Sequence, residues 1–210
     1  KGGVIQERVD TDAVGAEVRD RVVQGISVLG ELGAVIQEVS IPLIVHSAAI
    51  SNTIILTDAA GVHRQGIDEH LGEYDHNNQI RLLTGSIIPA QAHQKAIKLR
   101  QVLRQQILEA LGKVDVLVMP TSSIPASLIP TKEGIDSKQQ VVGGWGGRRT
   151  FTAPFNLANT PALSINCGFT SNQLPVGLQI AGKPFDEGML FRVAHAFEQA
   201  TDGHTRRPPI

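Results

Sequence analysis

The sequence contains a single cysteine, Cys167. One thiol cannot form a disulfide within the chain, which fits either a reducing compartment or a protein indifferent to its redox environment. The predicted location is the cytoplasm. A lone cysteine in a strand-like segment is more often a small buried apolar residue than a nucleophile. Cys167 is therefore interpreted as a core residue.

The chain also lacks an excess of charge of either sign, with 19 Lys and Arg side chains against 20 Asp and Glu side chains and a net charge of −1. This balance gives no electrostatic reason to expect nucleic acid or an anionic membrane as partner. The most apolar stretch, residues 41–56, is interrupted by Pro42, His46 and several hydroxyl side chains. It is shorter and more polar than a membrane span requires. Neither a nucleic-acid nor a membrane partner is predicted.

The composition is that of an ordinary globular protein, with 41% hydrophobic and 19% charged residues. A chain of 210 residues is long enough to bury one core, and we expect a single domain over residues 1–210. Residues 3–5 form a short apolar run, after which Asp10 can cap a helix with apolar residues at helical spacing from Val14 to Leu29. Gly33 can end this helix, and residues 34–41 have the pattern of a strand. Such a strand–helix–strand unit normally pairs its two strands in parallel.

The remainder of the chain alternates between helical and strand patterns. Helices are predicted at residues 43–60, from Pro89 to Gly112, at 151–158 and after Asp186; strands are predicted at 114–119, 162–169 and 176–181. Residues 61–88 and 121–150 are predicted to be irregular excursions, the first with broken helical turns. The alternation predicts an α/β fold in layers.

Three stretches carry a family resemblance. They are residues 115–121 (DVLVMPT), residues 151–169 (FTAPFNLANTPALSINCGF) and residues 174–187 (LPVGLQIAGKPFDE). In this order and at this spacing they resemble the C-terminal half of the amidase signature family. The resemblance covers nearly the whole chain, most weakly over 61–88 and 131–149. It implies the C-terminal portion of a layered α/β/α fold with a mixed sheet.

The resemblance also implies an activity. Enzymes of this family hydrolyse carboxamide C–N bonds through an acyl-enzyme, using a Ser nucleophile, a second Ser held by a cis peptide, and a Lys. A serine hydroxyl needs such a relay because it is a poor nucleophile until a neighbouring base removes its proton. No cofactor is implied, and the expected partner is a small amide substrate.

The family's catalytic serines and lysine lie in an upstream Gly/Ser-rich segment, and this sequence has none of that type. Ser122 and Ser123 form a pair without flanking glycines and are interpreted as loop serines, so no catalytic residue is assigned. We therefore expect the chain alone to be inactive and to need a complementary chain. The alternative is a non-catalytic scaffold or homo-oligomerisation module derived from an amidase.

Three residues are candidates for the wall of a substrate pocket. Thr121 follows a buried strand at the end where α/β sheets present ligand contacts, and Gln179 is polar within an apolar strand. The structural alternatives are that Thr121 stabilises a turn and that Gln179 pairs with backbone. Arg149 precedes the 151–158 motif, where ammonia-donating amidotransferases of the family tend to have an acidic residue. This departure favours a plain amide hydrolase.

Residues 63–76 contain five potential metal ligands: His63, Asp68, His70, Asp75 and His76. Their spacing matches no recognised ligand pattern, and polar loops commonly collect such residues. No metal site is predicted. A dinucleotide cofactor is not predicted either, because no Gly-x-Gly-x-x-Gly joins the first strand to its helix.

Overall fold

The computed structural model describes residues 1–128 and 151–207. Its first half begins with strand β1 (Gly2–Ile5), the short helix α1 (Gln6–Val9), helix α2 (Ala16–Glu31) and strand β2 (Ile36–Val39). A 3₁₀ turn (Pro42–His46) leads into α3 (Ser47–Val62), α4 (Arg64–His70), a second 3₁₀ turn (Leu71–Glu73) and α5 (His76–Ile87). The second half comprises α6 (Ala90–Leu111), β3 (Val116–Pro120), α7 (Ala153–Ala158), β4 (Ala162–Phe169), β5 (Pro175–Gly182) and α8 (Glu187–Ala200).

The strands form one mixed five-stranded sheet in the order β2-β1-β3-β5-β4. Strand β1 pairs in parallel with β2, as the strand–helix–strand pattern predicted, and it also pairs in parallel with β3. Strand β5 runs antiparallel to β3 and to β4, so the last two strands form a hairpin. Every residue of β3 is buried, because this strand lies in the middle of the sheet. The α/β class with a mixed sheet is confirmed.

Helices α2 and α8 pack on one face of the sheet, against β4 and β5. Helix α2 approaches both β4 and α8 closely at Gly25. A Cβ added to this glycine would lie 2.9 Å from the Cβ of Cys167 and 3.7 Å from the ring of Phe197. Helix α6 packs against β3, the 3₁₀ turn after β2, α3 and α7. Cys167 is 8% exposed and belongs to the core, as predicted.

The start of α2 differs from the prediction. The helix begins at Ala16 with Gly15 as its N-cap, and Asp10 instead follows the short helix α1. Residues 10–15 form a turn, fixed by a hydrogen bond from the Gly15 N–H to the Ser123 carbonyl, 2.8 Å. Val14 lies before the helix but is 3% exposed, so its apolar character reflects core burial and not helical periodicity.

Residues 61–88 are more regular than predicted, because α4, the second 3₁₀ turn and α5 occupy most of the segment. Asp75 caps α5 by accepting hydrogen bonds from the N–H groups of Asn77 and Asn78, 3.0 and 3.2 Å. Leu82 and Gly85 then pack against α3. The polar, glycine-containing sequence therefore encodes short capped helices and not an irregular excursion. Of the other excursion, 121–150, residues 129–150 lie outside the described residues.

The apolar segment after β2 is longer than the sequence suggested. Pro42–Val62 forms a continuous helical stretch of 21 residues, long and apolar enough to cross a membrane by those two criteria. However, Ile44, Ile50 and Ile54 of this stretch are buried in the core. Helix α3 packs against α5, α6 and α7, as a core helix does.

Candidate functional site

Thr121 lies directly after β3, at the carboxyl end of the parallel strands. Its N–H donates to the Gly177 carbonyl, 2.9 Å, and its carbonyl accepts from the Phe151 N–H, 2.8 Å. These two bonds hold the backbone of Thr121 between β5 and the segment that begins at Phe151. Its side chain is partly exposed. The position is the one predicted for a ligand contact.

The hydroxyl of Thr121 pairs with that of Ser164 on β4, with the two oxygen atoms 2.6 Å apart. Strand β5 lies between them in the sheet, and Gly177 is the residue of β5 that they bridge. A Cβ at Gly177 would lie 2.7 Å from Ser164 Oγ and 2.8 Å from Thr121 Oγ1. The glycine is therefore required for the Thr121–Ser164 pair. Ser164 is exposed, so the pair is accessible from outside the chain.

Gln179 lies on β5, directly opposite Met119 of β3 and Ser164 of β4. Directly opposite residues point to the same face of a sheet, so Gln179 and Ser164 share a face. Gln179 is 3% exposed, and its Oε1 has no hydrogen-bond donor among the described residues. A buried acceptor without a donor costs roughly 1–3 kcal/mol, so such an atom calls for an explanation.

A groove of about 520 Å³ opens beside the Thr121–Ser164 pair. It is lined by both residues of the pair and by Gly177, together with Ser122, Pro125 and Asn166. The groove therefore combines apolar walls with hydroxyl groups that can both donate and accept hydrogen bonds. Such a surface suits a small polar ligand with an amide or carbonyl group.

Arg8 is linked to Thr121 through Phe151 and was not predicted from the sequence. Its guanidinium lies 4.2 Å from the centre of the Phe151 ring, and it donates to the Ile44 carbonyl and to Ser47 Oγ. The side chain is 8% exposed, and this burial lowers the pKa of Arg8 to about 10. Because Phe151 is hydrogen-bonded to Thr121, Arg8 helps fix the backbone of the site. The signal available in the sequence was a basic residue three positions after the end of β1.

The remaining candidates for catalysis or binding are Arg149, Ser122 and Ser123. Arg149 lies outside the described residues. Ser122 Oγ donates to the Ile124 carbonyl, 2.8 Å, and Ser123 is 3% exposed. Both serines follow β3 in the loop where they were expected. The observed bond of Ser122 is a local loop contact.

The five potential metal ligands lie on or beside α4 and α5, and most have an ordinary neighbour or role. His63 contacts the Tyr74 hydroxyl, Asp68 pairs with Arg64, His70 contacts Glu73, and Asp75 is the helix cap. Within residues 1–128 and 151–207, three or more His, Cys, Asp or Glu side chains do not come together in a geometry that could hold a metal ion.

Burial raises the pKa of the Cys167 thiol to about 12. We expect the native protein to react with iodoacetamide at pH 8 at least about tenfold more slowly than unfolded protein, because the thiolate is the reactive form. Between about pH 9 and about pH 12, the Cys167 thiol keeps its proton in the folded protein and has lost it in the unfolded protein. The free energy of unfolding, compared with that of Cys167→Ala, should therefore fall as the pH rises through this range. Equal labelling of native and unfolded protein would contradict this assignment.

Comparison with known proteins identifies the family. The family model described as "Amidase" matches residues 2–191. The chain belongs to the amidase family. Among curated relatives of this amidase chain, the glutamyl-tRNA(Gln) amidotransferase A subunit of Bacillus cytotoxicus is 31% identical, over 95% of this chain and 45% of the relative.

Solved structures agree with this assignment. A crystal structure of an amidase superposes on 94% of this amidase chain and 45% of its own chain with a TM-score of 0.80, at 24% identity, which shows the fold. The glutamyl-tRNA(Gln) amidotransferase A subunit of Thermotoga maritima superposes on 95% of this chain and 42% of its own, with a TM-score of 0.73 and 29% identity. The chain thus spans less than half the length of the relatives it matches.

Proposed function

We propose that this chain forms the C-terminal half of a carboxamide hydrolase and supplies one wall of its substrate pocket. The observation that carries the proposal is the cluster of Thr121, Ser164 and Gln179 in an amidase-family chain. Thr121 and Ser164 pair where β3 ends and line an open groove. Gln179 lies opposite Ser164 on β5, on the same face of the sheet. Matching relatives are more than twice as long, which leaves room for a catalytic segment outside these residues.

In this proposal the chemistry is divided between two parts of the enzyme. The upstream Gly/Ser-rich segment of the family provides the nucleophilic Ser, the bridging Ser and the Lys. The nucleophile attacks the amide carbon, the C–N bond breaks with proton transfer to the amine, and water then hydrolyses the ester. Thr121 and Ser164 bind polar atoms of the substrate, and Gln179 Oε1 accepts a hydrogen bond from its amide N–H. Arg8 and Phe151 position this wall.

The substrate is proposed to be a small carboxamide hydrolysed with water, with no cofactor and in the cytoplasm. Glutamine-dependent amidotransferase activity is less well supported, because Arg148 and Arg149 stand where amidotransferases of the family tend to have an acidic residue. Arg149 remains a candidate for the pocket wall. Neither nucleic acid nor a membrane surface is proposed as partner.

A second candidate function is a non-catalytic scaffold or homo-oligomerisation module. The observation that favours it is exposed apolar surface on α3 and α5, where Val62 is 82% and Ile87 is 79% exposed. Each of these side chains is a candidate contact for a partner chain. Strand β4 adds a second binding element, because it lies at an edge of the sheet.

Native and denaturing mass spectrometry, followed by ammonia release from a panel of small carboxamides, tests the two candidates. We expect the homogeneous 210-residue chain to release no ammonia, and the chain bound to a polypeptide that carries the Gly/Ser-rich segment to release it. Turnover by the homogeneous chain alone would overturn the proposed division of the chemistry. A stable complex without turnover, or a homo-oligomer, would favour the scaffold.

A further inference from the structure

A second cavity, of about 400 Å³, lies between α2, the β4–β5 turn and the residues that follow α8. The groove beside Thr121 is a separate cavity, although Asn166 borders both. The polar and charged groups of its lining include Arg21, Asn166, Thr170, Ser171, Asp202 and Arg206. Two arginines on one small cavity raise the question of what compensates their charge.

The side chain of Arg21 packs against the backbone of β4 at Gly168, which has no Cβ. Gly168 has a φ of +140°, which favours glycine, and a Cβ there would lie 2.9 Å from Arg21 Cδ. The aliphatic stem of Arg21 therefore lies directly on the backbone of β4. Its Nη1 donates to Gln24 Oε1, 3.0 Å, which is a neutral acceptor. The guanidinium is thus oriented by a neutral acceptor.

Arg206, which also lines the cavity, is positioned by an aromatic ring and a neutral acceptor. Its Cζ lies 4.3 Å from the centre of the Phe169 ring, and its Nη2 donates to Gln173 Oε1, 3.0 Å. Gln173 has a φ of +62°, an uncommon conformation for a residue other than glycine, which the Thr170–Leu174 turn fixes. A strained residue therefore presents another neutral acceptor to an arginine.

Neither guanidinium group forms an ion pair with a carboxylate of the described residues. In the part of the chain that the structure describes, no carboxylate oxygen lies within 4.0 Å of a nitrogen of Arg21 or Arg206. Asp202 lines the cavity, and Glu17 lies at its rim, where it accepts a hydrogen bond from the Ser171 N–H, 2.9 Å. Hydrogen bonds from the Ser171 side chain and from its N–H, together with the nearby charge of Arg21, lower the pKa of Glu17.

We propose that this cavity binds a small oxyanion, a carboxylate or a phosphate, between Arg21 and Arg206. A guanidinium presents several N–H donors in one plane, which matches the paired oxygens of either group. The hydroxyl of Thr170 borders the same space and adds a neutral donor. The site is independent of amide hydrolysis, since it requires neither the groove beside Thr121 nor a second polypeptide.

Titration of the 210-residue chain with sodium phosphate and, separately, sodium succinate at low and constant ionic strength tests the proposal, with NMR or calorimetric detection. We expect saturable binding of at least one of the two anions. Tighter binding of phosphate assigns a phosphate ligand, and tighter binding of succinate assigns a carboxylate. Linear, unsaturated shifts with both anions would overturn the site.

Charge-removing variants locate the binding. Arg21→Gln and Arg206→Gln should each weaken binding at least about tenfold, because each removes charge-assisted hydrogen bonds. Arg192→Gln is the matched control, since Arg192 is an exposed arginine of α8 that does not line the cavity. Unfolding curves check that each variant is folded. Equal affinity of all three variants and the parent chain would overturn the assignment to these two arginines.

Discussion

Gly85→Ala is expected to lower the free energy of unfolding by about 1–3 kcal/mol, although alanine is ordinarily the better helix former. Gly85 lies on α5 where this helix crosses α3. A Cβ at this position would overlap the Leu56 carbonyl oxygen and would lie 2.7 Å from the carbonyl carbon. The atoms it meets belong to backbone within a helix, so they cannot rotate away as a side chain can.

The added methyl group would also lie 3.0 Å from the Cβ of Ala60, one turn further along α3. Relief therefore requires α3 and α5 to separate along the crossing. Separation would expose Leu82 and Ile54, which are buried on these helices. The predicted loss arises from this separation and not from the helix propensity of the new residue.

Gly61→Ala is the matched control. Gly61 lies near the end of α3, and nothing lies within 4 Å of a Cβ placed there. Alanine should stabilise the chain at this position by up to about 1 kcal/mol. Urea denaturation of the two variants and the parent chain measures both effects. Equal stabilisation by both substitutions would show that α3 and α5 do not make this close contact.

The role of Gly85 explains why residues 61–88 were predicted to be irregular. A single sequence does not distinguish a glycine that breaks a helix from a glycine that lets two helices approach. The cap at Asp75 was visible as a residue type, but its function depends on the bonds it accepts from Asn77 and Asn78. By contrast, β3 was predictable because its burial on both faces leaves a nearly continuous apolar run.

In the candidate site, too, some residues could be predicted from the sequence and others only from the fold. Thr121 and Gln179 could be proposed from their places in the strand pattern, since each is a polar residue at the end or in the middle of an apolar run. Ser164 and Gly177 could not, because their proximity depends on the antiparallel register of β3, β5 and β4. Arg8 is more than a hundred residues from Phe151 in sequence, so its contact follows only from the fold.

Gln179→Leu is expected to have opposite effects on stability and on activity. In the isolated chain the substitution removes a buried acceptor that has no donor among the described residues, and it retains a side chain of similar size. Stability should therefore be unchanged or should rise by about 1 kcal/mol. In the complete enzyme the same substitution removes the proposed acceptor for the substrate amide, and kcat/KM should fall at least about tenfold.

Gln91→Leu provides the comparison, because Gln91 is an exposed glutamine of α6 away from the Thr121–Ser164 pair. This variant should alter stability by less than about 0.5 kcal/mol and leave kcat/KM unchanged. Urea denaturation of the isolated variants and ammonia release by the complete enzyme give the two measurements. If Gln179→Leu lowered stability by about 2 kcal/mol while leaving kcat/KM unchanged, Gln179 would be a structural residue. The acceptor in the proposed pocket would then have to come from another residue. A fall in kcat/KM without loss of stability separates substrate binding from folding, because a residue needed only for packing cannot produce that combination.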